Sequence, residues 1–575
     1  MIAGLMQKGR QLANDTVLRL WLWRRITGQA PKPPLFTRHV PPYASTLLPL
    51  AAETPQQQNH EVTAACRPEP TCLNLAGTGV DVVPGTERRL MASEFDDLET
   101  RLALHRFQWL PLMEAEARPD GALVAALWRA WASAYAEPSD DWPWHPYTAA
   151  ERAVNVLGYA RRAGMWPAEG AASILARHAP AIAAKLEFFG SHDTSNHLAA
   201  NGRGLYTLGL ELGLPRAAAL GFRILTEEAR SLFMPSGMLR EGSSHYHLLV
   251  LRNYLDSWLL ARRCGRGRDA ETLQDIALKA SRPLHALAMP GRLPLIGDVS
   301  PDCPPSFLVG LVDQAQRETG WFALLDRAER IAIGDLLGHA PGIAEISREL
   351  TADGWLRAGT GDWALLSHAA PGGMPPMPGH SHQDCGAFEL HWRKTALVID
   401  AGRGRYGESG VAARARGATV HSGLTVSGAD PFPANKPYYD AAFRRSVAGP
   451  PPVIACEAES ARLTHHGFSR LGDVAEATRT WHWRGNAVRI EDTVEGRSER
   501  QIVRRLLTPW PAMSQNGCVI IAAGSERFAI SADAPIRIEP SVHWPAYATE
   551  APATMLIAET HASLPFNGWI EIKAL

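Results

Sequence analysis

The chain is poor in several features that would classify it quickly. Its seven cysteines lie far apart, at 66, 72, 264, 303, 385, 456 and 518, with no Cys-x-x-Cys pair. The odd number excludes a fully paired disulfide framework, so free thiols are expected, with a local Cys66–Cys72 bridge as the alternative. Neither sign of charge is in excess: 58 Lys and Arg face 59 Asp and Glu, for a net charge of −1. No overall electrostatic pull toward nucleic acid or a membrane follows from that balance. No segment is apolar enough to span a bilayer. The first thirty residues begin basic but hold no continuous apolar core, because Lys8, Arg10, Asp15 and Arg19 interrupt every run. No cleavable secretory signal is therefore expected, which points to the cytoplasm, with the periplasm as the alternative. Leu18, Leu20, Trp21, Leu22 and Trp23 beside Arg24 and Arg25 predict a basic amphipathic helix. Docking on the protein is its plainer reading, and peripheral contact with a membrane is the other.

What is present describes a folded protein: 46% of residues are hydrophobic and 20% charged. The 18 tryptophans fill core or offer flat faces to sugar rings, so carbohydrate is a ligand to consider. The pattern along the 575 residues divides in two. Residues 1–94 form an N-terminal extension and an irregular lead-in, with the loop signals PKPP, VPPY and QQQN. Residues 95–355 are rich in Ala and Leu at helical spacing; one stripe is Leu248, Leu251, Leu255 and Trp258, another Leu198, Leu205, Leu208 and Leu212. Helix pairs without heptads predict an α-bundle or an α/α toroid. Residues 356–575 turn to short strand-like runs such as FELHW (388–392), RTWHW (479–483) and AVRIED (487–492), punctuated by turn residues as in an antiparallel β-sandwich. The expected fold class is multidomain α+β, helices first.

Three polar stretches interrupt these patterns. In GHSHQD (379–384), an extended backbone would place His380, His382 and Asp384 on one face, which is either the start of a site or a charged edge. SHDTSNHLAANGRGLY (191–206) opens a helix with cap-forming residues. Asn201 falls on its buried face, where an amide must find partners and would lock structure together. Asn196 and His197 sit at the helix start, as caps or as groups open to a cleft. LREGSSHYHLLVLRNYLD (239–256) repeats the design, with Tyr246 turned away from the His247–Leu251 row. Its hydroxyl is either an ordinary amphipathic tip or a proton donor.

Taken together, GSHDTSNHLAANGRGLY, PSGMLREGSSHYHLLVL, GHSHQDCGAFEL, VIDAGRGRY and VHSGLTVSG resemble the heparinase II/III-like polysaccharide lyases in order and spacing. The stretch 458–496 is similar to that family's sandwich, and the first ninety residues lie outside the resemblance. The resemblance implies an α/α toroid followed by β-sandwich layers, and β-elimination of a uronic-acid polysaccharide, either a bacterial exopolysaccharide or a glycosaminoglycan-like chain. Removing the proton beside a carboxylate builds charge on that group, so donors must face it, while a base takes the proton and an acid protonates the departing oxygen. By motif position, Asn196 and His197 would neutralise the carboxylate, and Tyr246 and His380 would carry acid and base proton transfer. Arg240 would bind substrate, with Glu241 beside it as support for that binding site. Some family members hold a zinc ion, whose ligands here would be His382, Asp400 and His421, with Asp384 as an outer partner to a histidine. Its role would be to brace the loop bearing His380. The basic residues Arg403, Arg405, Arg414 and Arg416 would grip an anionic chain, Arg405 and Arg416 foremost, or form a solvated loop. Two other functions are weighed against lysis: a glycoside hydrolase on the same scaffold, with Asp193 and Glu241 as its carboxylates, and a non-catalytic glycan-binding protein of exopolysaccharide assembly.

Overall fold

The computed structural model describes residues 15–29, 38–56, 61–63, 69–375, 379–436 and 438–575. A helix-rich N-terminal region is followed by a sheet-rich C-terminal one. The long helices Gly121–Tyr135, Pro146–Ala163, Asn196–Glu211, Pro215–Leu232 and Ser244–Arg263 build the first region. Its last helix, Ile343–Ala352, ends two residues before the first strand of the C-terminal region, Trp355–Ala358. The predicted stripes are buried. Leu198, Leu205, Leu208 and Leu212 join one helical core cluster, and Leu248, Leu251, Leu255 and Trp258 a second.

The motif NGRG explains how closely these helices approach. A glycine inside a helix costs about 1 kcal/mol relative to alanine. At Gly204 a Cβ would stand 2.6 Å from the Cβ of Ala150 on the helix Pro146–Ala163. The helix therefore gives up propensity for backbone proximity.

Three antiparallel sheets make up most of the C-terminal region. One of four strands runs Trp355–Ala358, Trp363–His368, Phe388–Trp392, Thr395–Val398 in spatial order. A second of eight strands is centred on Val474–Arg484, Ala487–Gly496 and Phe566–Ala574, and a third of four contains Glu499–Thr508 and the long strand Thr549–Ser563. Phe388, Leu390, Trp481, Ile490, Leu556 and Ile570 from these sheets share one apolar cluster. Strands such as Ala487–Gly496 alternate buried and less buried residues, the period expected of a sheet with one face on the core.

The predicted N-terminal helix forms over Thr16–Ile26, capped by Asp15, whose side chain accepts from Leu18 N at 2.9 Å, but its apolar residues do not share one face. It is docked on the protein. Val17 and Trp21 enter the C-terminal core, and the Trp21 ring packs on Tyr439 and Phe443 at centroid distances of 5.5 and 5.0 Å. Leu20, Trp23 and Ile26 stay exposed. Among the described residues no helix is long and apolar enough to cross a membrane. Cys72 is a free thiol; Cys66 lies outside the described residues. Most tryptophans prove to be core. Trp21, Trp109, Trp128, Trp131, Trp144, Trp321, Trp355 and Trp481 are fully buried, whereas Trp142 is exposed and lines the cleft described below.

Candidate functional site

The helix Asn196–Glu211 begins with a backbone N–H that has no partner within the helix. Glu241 supplies one. Its carboxylate accepts from Asn196 N and from Asn196 Nδ2, both at 2.7 Å. Glu241 can do so because the next residue, Gly242, adopts φ +69°, and a Cβ there would lie 1.8 Å from Ser381 Oγ. The chain turns at Gly242 and starts the helix Ser244–Arg263, whose N-cap Ser243 accepts from Tyr246 N. Asn196 and Tyr246 thus stand in the first turns of two neighbouring helices.

His380 arrives from the C-terminal region on a loop, so the GHSHQD segment is not a strand. The sharing of one face by His380 and His382 nonetheless has a counterpart, because both rings reach Asp298. His380 Nδ1 is 3.0 Å from Asp298 Oδ2, and His382 Nε2 is 2.8 Å from Asp298 Oδ1. The other nitrogen of His380 lies 3.2 Å from Glu241 Oε2 and 3.2 Å from Asn196 Nδ2. A ring between two carboxylates gives both its N–H groups to them, and the Asn196 amide is then a neighbour with a hydrogen still free. Burial opposes the charge on His380, but the bonds to Asp298 and Glu241 outweigh it and lift its pKa to about 9. Burial would likewise raise Glu241, but the bond from His380 and those from Asn196 hold it at about 2.

The Tyr246 ring stacks on His380, centroids 3.5 Å apart and planes 9° from parallel. Tyr246 does not point into open solvent; it is 5% exposed, and its hydroxyl meets that of Tyr406 at 2.5 Å. Burial and the charge of Asp302 push the phenol well above its ordinary pKa, so it keeps its proton at neutral pH.

Beside this cluster, His197 gives Nδ1 to Glu187 at 2.9 Å. Asn201 donates to the second Glu187 oxygen at 3.0 Å and accepts from Glu187 N at 3.1 Å, so the buried amide braces the segment ahead of the helix. Burial disfavours the His197 cation, but the Glu187 charge overrides it and the pKa rises; Glu187, which burial alone would raise, is held at about 2 by His197. Linkage gives a signed prediction. The Glu187 contribution is present above its ordinary value of 4.5 and is lost as pH falls toward 2, while the His197 contribution is present below 6.5 and is lost as pH rises through its raised value. The stability advantage of the wild type over His197→Gln should therefore peak between pH 4.5 and 6.5 and shrink above it. Thermal melts of both proteins across that range check this, and a gap independent of pH would contradict it.

Part of this cluster opens on a cleft of about 750 Å³ between the two regions; Asn196, Tyr246 and His380 do not line it themselves, and Asn196 and His380 meet it through Glu241, which does. Glu187, His197, Arg240 and Glu241 line it from the helical side, and Gly379, Arg444 and Arg445 from the other. Arg240 also holds the loop ahead of Asn196, donating to the carbonyl oxygens of Ser191 and Thr194. The structure does not bring Arg405 and Arg416 here. Neither lines the cleft; Arg405 is exposed elsewhere, and Arg416 pairs with Glu408 at 2.9 Å. Arg403 is buried, and its guanidinium is spent on Asp298 at 3.0 Å.

A second cluster lies beneath His380. The ligand atoms of His382, Asp400 and His421, all buried, fall within 4.8 Å of one another. His421 Nδ1 meets Asp400 Oδ2 at 2.9 Å. His382 Nδ1, His421 Nε2 and Asp384 Oδ2 are buried without a hydrogen-bond partner. Unsatisfied buried nitrogen and oxygen of this kind suit a borderline cation such as zinc.

Residues 345–568 match the family model described as Heparinase II/III-like, C-terminal. That stretch is similar to a heparinase II/III-like C-terminal domain. The heparinase-like likeness extends through the helical region in solved structures. A heparinase III shares 14% identity at a TM-score of 0.59, with 84% of this chain and 78% of that one covered. A heparan sulfate lyase HepC mutant from Pedobacter heparinus shares 16% identity at a TM-score of 0.52 over the same shares of the two chains. The fold is therefore shared with these proteins. No curated protein sequence matches the chain.

Asp298, Tyr406, Glu187 and His145 belong to the site and were not marked by the sequence. His145 reaches Glu187 at 3.6 Å and lines the cleft. The one signal for Asp298 is its setting, GDVSPD (297–302), a carboxylate among turn residues within the helical region. That context fits any loop.

Proposed function

We propose that the chain is a polysaccharide lyase that cleaves a uronate-containing glycan by β-elimination, on an α/α toroid joined to a β-sandwich lobe. The observation that carries this reading is the meeting of Asn196, Tyr246 and His380 from three separate segments beside Glu241, which lines the cleft. The Asn196 amide and the His197 cation present donors to a substrate carboxylate, where charge develops as the neighbouring C–H is broken. Tyr246, protonated at rest, gives its proton to the departing glycosidic oxygen. His380 is the proton acceptor. Two carboxylates raise its affinity for a proton, which suits removal from a weakly acidic carbon, in the fraction of molecules whose ring is neutral. Tyr406 holds the Tyr246 hydroxyl in place.

Hydrolysis is less well supported. A hydrolase needs a carboxylic acid poised to donate, yet Glu241 is held at about 2 and both its oxygens are engaged. Incubating the protein with a panel of uronate polymers tests the reading. Ultraviolet-absorbing products with an unsaturated uronate end are expected from at least one of them; reducing ends without that absorbance would replace lysis with hydrolysis.

We also propose zinc at His382, Asp400 and His421. Bound there, the metal would supply a structural tie that fixes the loop 379–384 and with it His380. Elemental analysis should find about one zinc per chain, lost in His421→Ala, and chelation should lower the melting temperature of the wild type but not of that variant. Metal-free wild type indifferent to added zinc would contradict the assignment.

A further inference from the structure

The proton-transfer cluster meets one end of the cleft at Glu241. The remainder carries a positive charge that the chemistry does not use. Of the four carboxylates that line the cleft, Glu99 is taken by Arg106, Glu187 by His197 and Asn201, and Glu241 by Asn196 and His380. Only Asp193 is left. Against it stand Arg38, Arg240, Arg444 and Arg445. Among the described residues, Arg240 bonds only to backbone carbonyls, and Arg38 approaches only His145, at 3.5 Å. Arg444 lies 3.9 Å from Asp193, beyond hydrogen-bond length, and its Nε is buried without a partner. Among the described residues, Arg445 has no ion-pair partner and is exposed.

The helix Ala441–Ala448 that carries Arg444 and Arg445 is firmly placed. Asp440 caps it, accepting from Phe443 N at 2.9 Å, and Phe443 turns inward against Trp21 of the N-terminal helix. With Phe443 buried, the next two positions face the cleft. Arg444 also reaches His192 across from it, so this arm is walled by both regions of the chain. Guanidinium groups held in place with at most one distant carboxylate, as Asp193 is to Arg444, are suited to bidentate capture of a carboxylate or sulfate.

We propose that the arm of the cleft between Arg240 and the helix Ala441–Ala448 is a second anionic subsite, in which Arg444 and Arg445 hold an acidic group on a sugar other than the one being cleaved. The proposal rests on the lyase reading and narrows it: the substrate is a chain with acidic groups on more than one residue, carboxylates or sulfate esters. A cleft of about 750 Å³ has room for more than one ring.

The test compares the full-length wild type with Arg445→Gln, which alters an exposed residue, and with Arg444→Gln/Arg445→Gln. Calorimetric titration with an unsulfated uronate oligosaccharide, a sulfated glycosaminoglycan oligosaccharide and a neutral glucan is run at two salt concentrations, with steady-state kinetics on any polymer cleaved. The double variant should bind the preferred anionic ligand about tenfold more weakly, with a smaller salt dependence, and its loss in turnover should fall on KM rather than kcat. Arg444→Lys should recover part of the affinity. Whether the sulfated or the unsulfated ligand loses more identifies the acidic group. Arginine-dependent binding without cleavage would keep the subsite and remove the lyase reading. Cleavage with KM and salt dependence unchanged in the double variant would remove the subsite alone. No binding of either anionic ligand by the wild type would remove both.

Discussion

Tyr246→Phe is expected to lower kcat by roughly 10²–10⁴-fold on a competent polymer, the range that a positioned proton donor or acceptor contributes. The variant keeps the ring and with it the stack on His380, whose centroid lies 3.5 Å away. What it removes is one hydroxyl, bonded to that of Tyr406. The fold should survive, because a lost hydrogen bond to a neutral partner costs only about 1 kcal/mol net. KM should change little, since the phenol is asked to act on the departing oxygen and not to grip the ground state. Circular dichroism and a melting curve establish that the variant is folded before its turnover is compared. Folded Tyr246→Phe with near-native kcat would mean that the proton comes from elsewhere.

Asp298→Asn should give the largest loss of stability. Asp298 is buried, and its carboxylate receives His380, His382 and Arg403 at once. Burial works against its charge, yet these partners hold its pKa far below the usual carboxylate range. An amide of the same shape removes the counter-charge and leaves a buried guanidinium without compensation. Breaking a buried ion network in this way costs about 3–5 kcal/mol. Turnover should fall as well, because Asp298 fixes the ring nitrogen of His380 opposite the substrate and, through His382, ties the active loop to the proposed metal cluster. Denaturant unfolding with parallel kinetics measures both effects. A variant within about 1 kcal/mol of the wild type and equally active would show that the network does not position His380.

The difference between these two residues shows what could be seen in the sequence. Tyr246 stands in a stretch whose polar opening breaks a strong helical stripe, so it is conspicuous without coordinates. The same holds for Asn196 and His197 ahead of the stripe Leu198, Leu205, Leu208 and Leu212. Periodicity likewise marks where helices give way to strands, because the two periods, 3.6 and 2, differ over windows longer than a few residues. Asp298 offers no such contrast. Its partners are 82, 84 and 105 positions away, and an aspartate after glycine in a loop has many ordinary explanations. The arginines mislead for a related reason. Arg403, Arg405 and Arg416 form a dense cluster in sequence but are used locally or left outside the cleft. Arg444 and Arg445, on a short helix, reach it only because Phe443 anchors that helix to the N-terminal segment. Charge density along a chain does not report direction, whereas burial of a neighbouring aromatic does.

Solvent-oxygen labelling tests the central claim most directly. A polymer that the protein cleaves is digested in water enriched in heavy oxygen, and the new ends are weighed by mass spectrometry. Elimination by Asn196, Tyr246 and His380 should yield products with an unsaturated end and no oxygen from solvent. One solvent oxygen per cleavage event would mean that water attacks the bond, and that the residues gathered at the cleft perform hydrolysis instead.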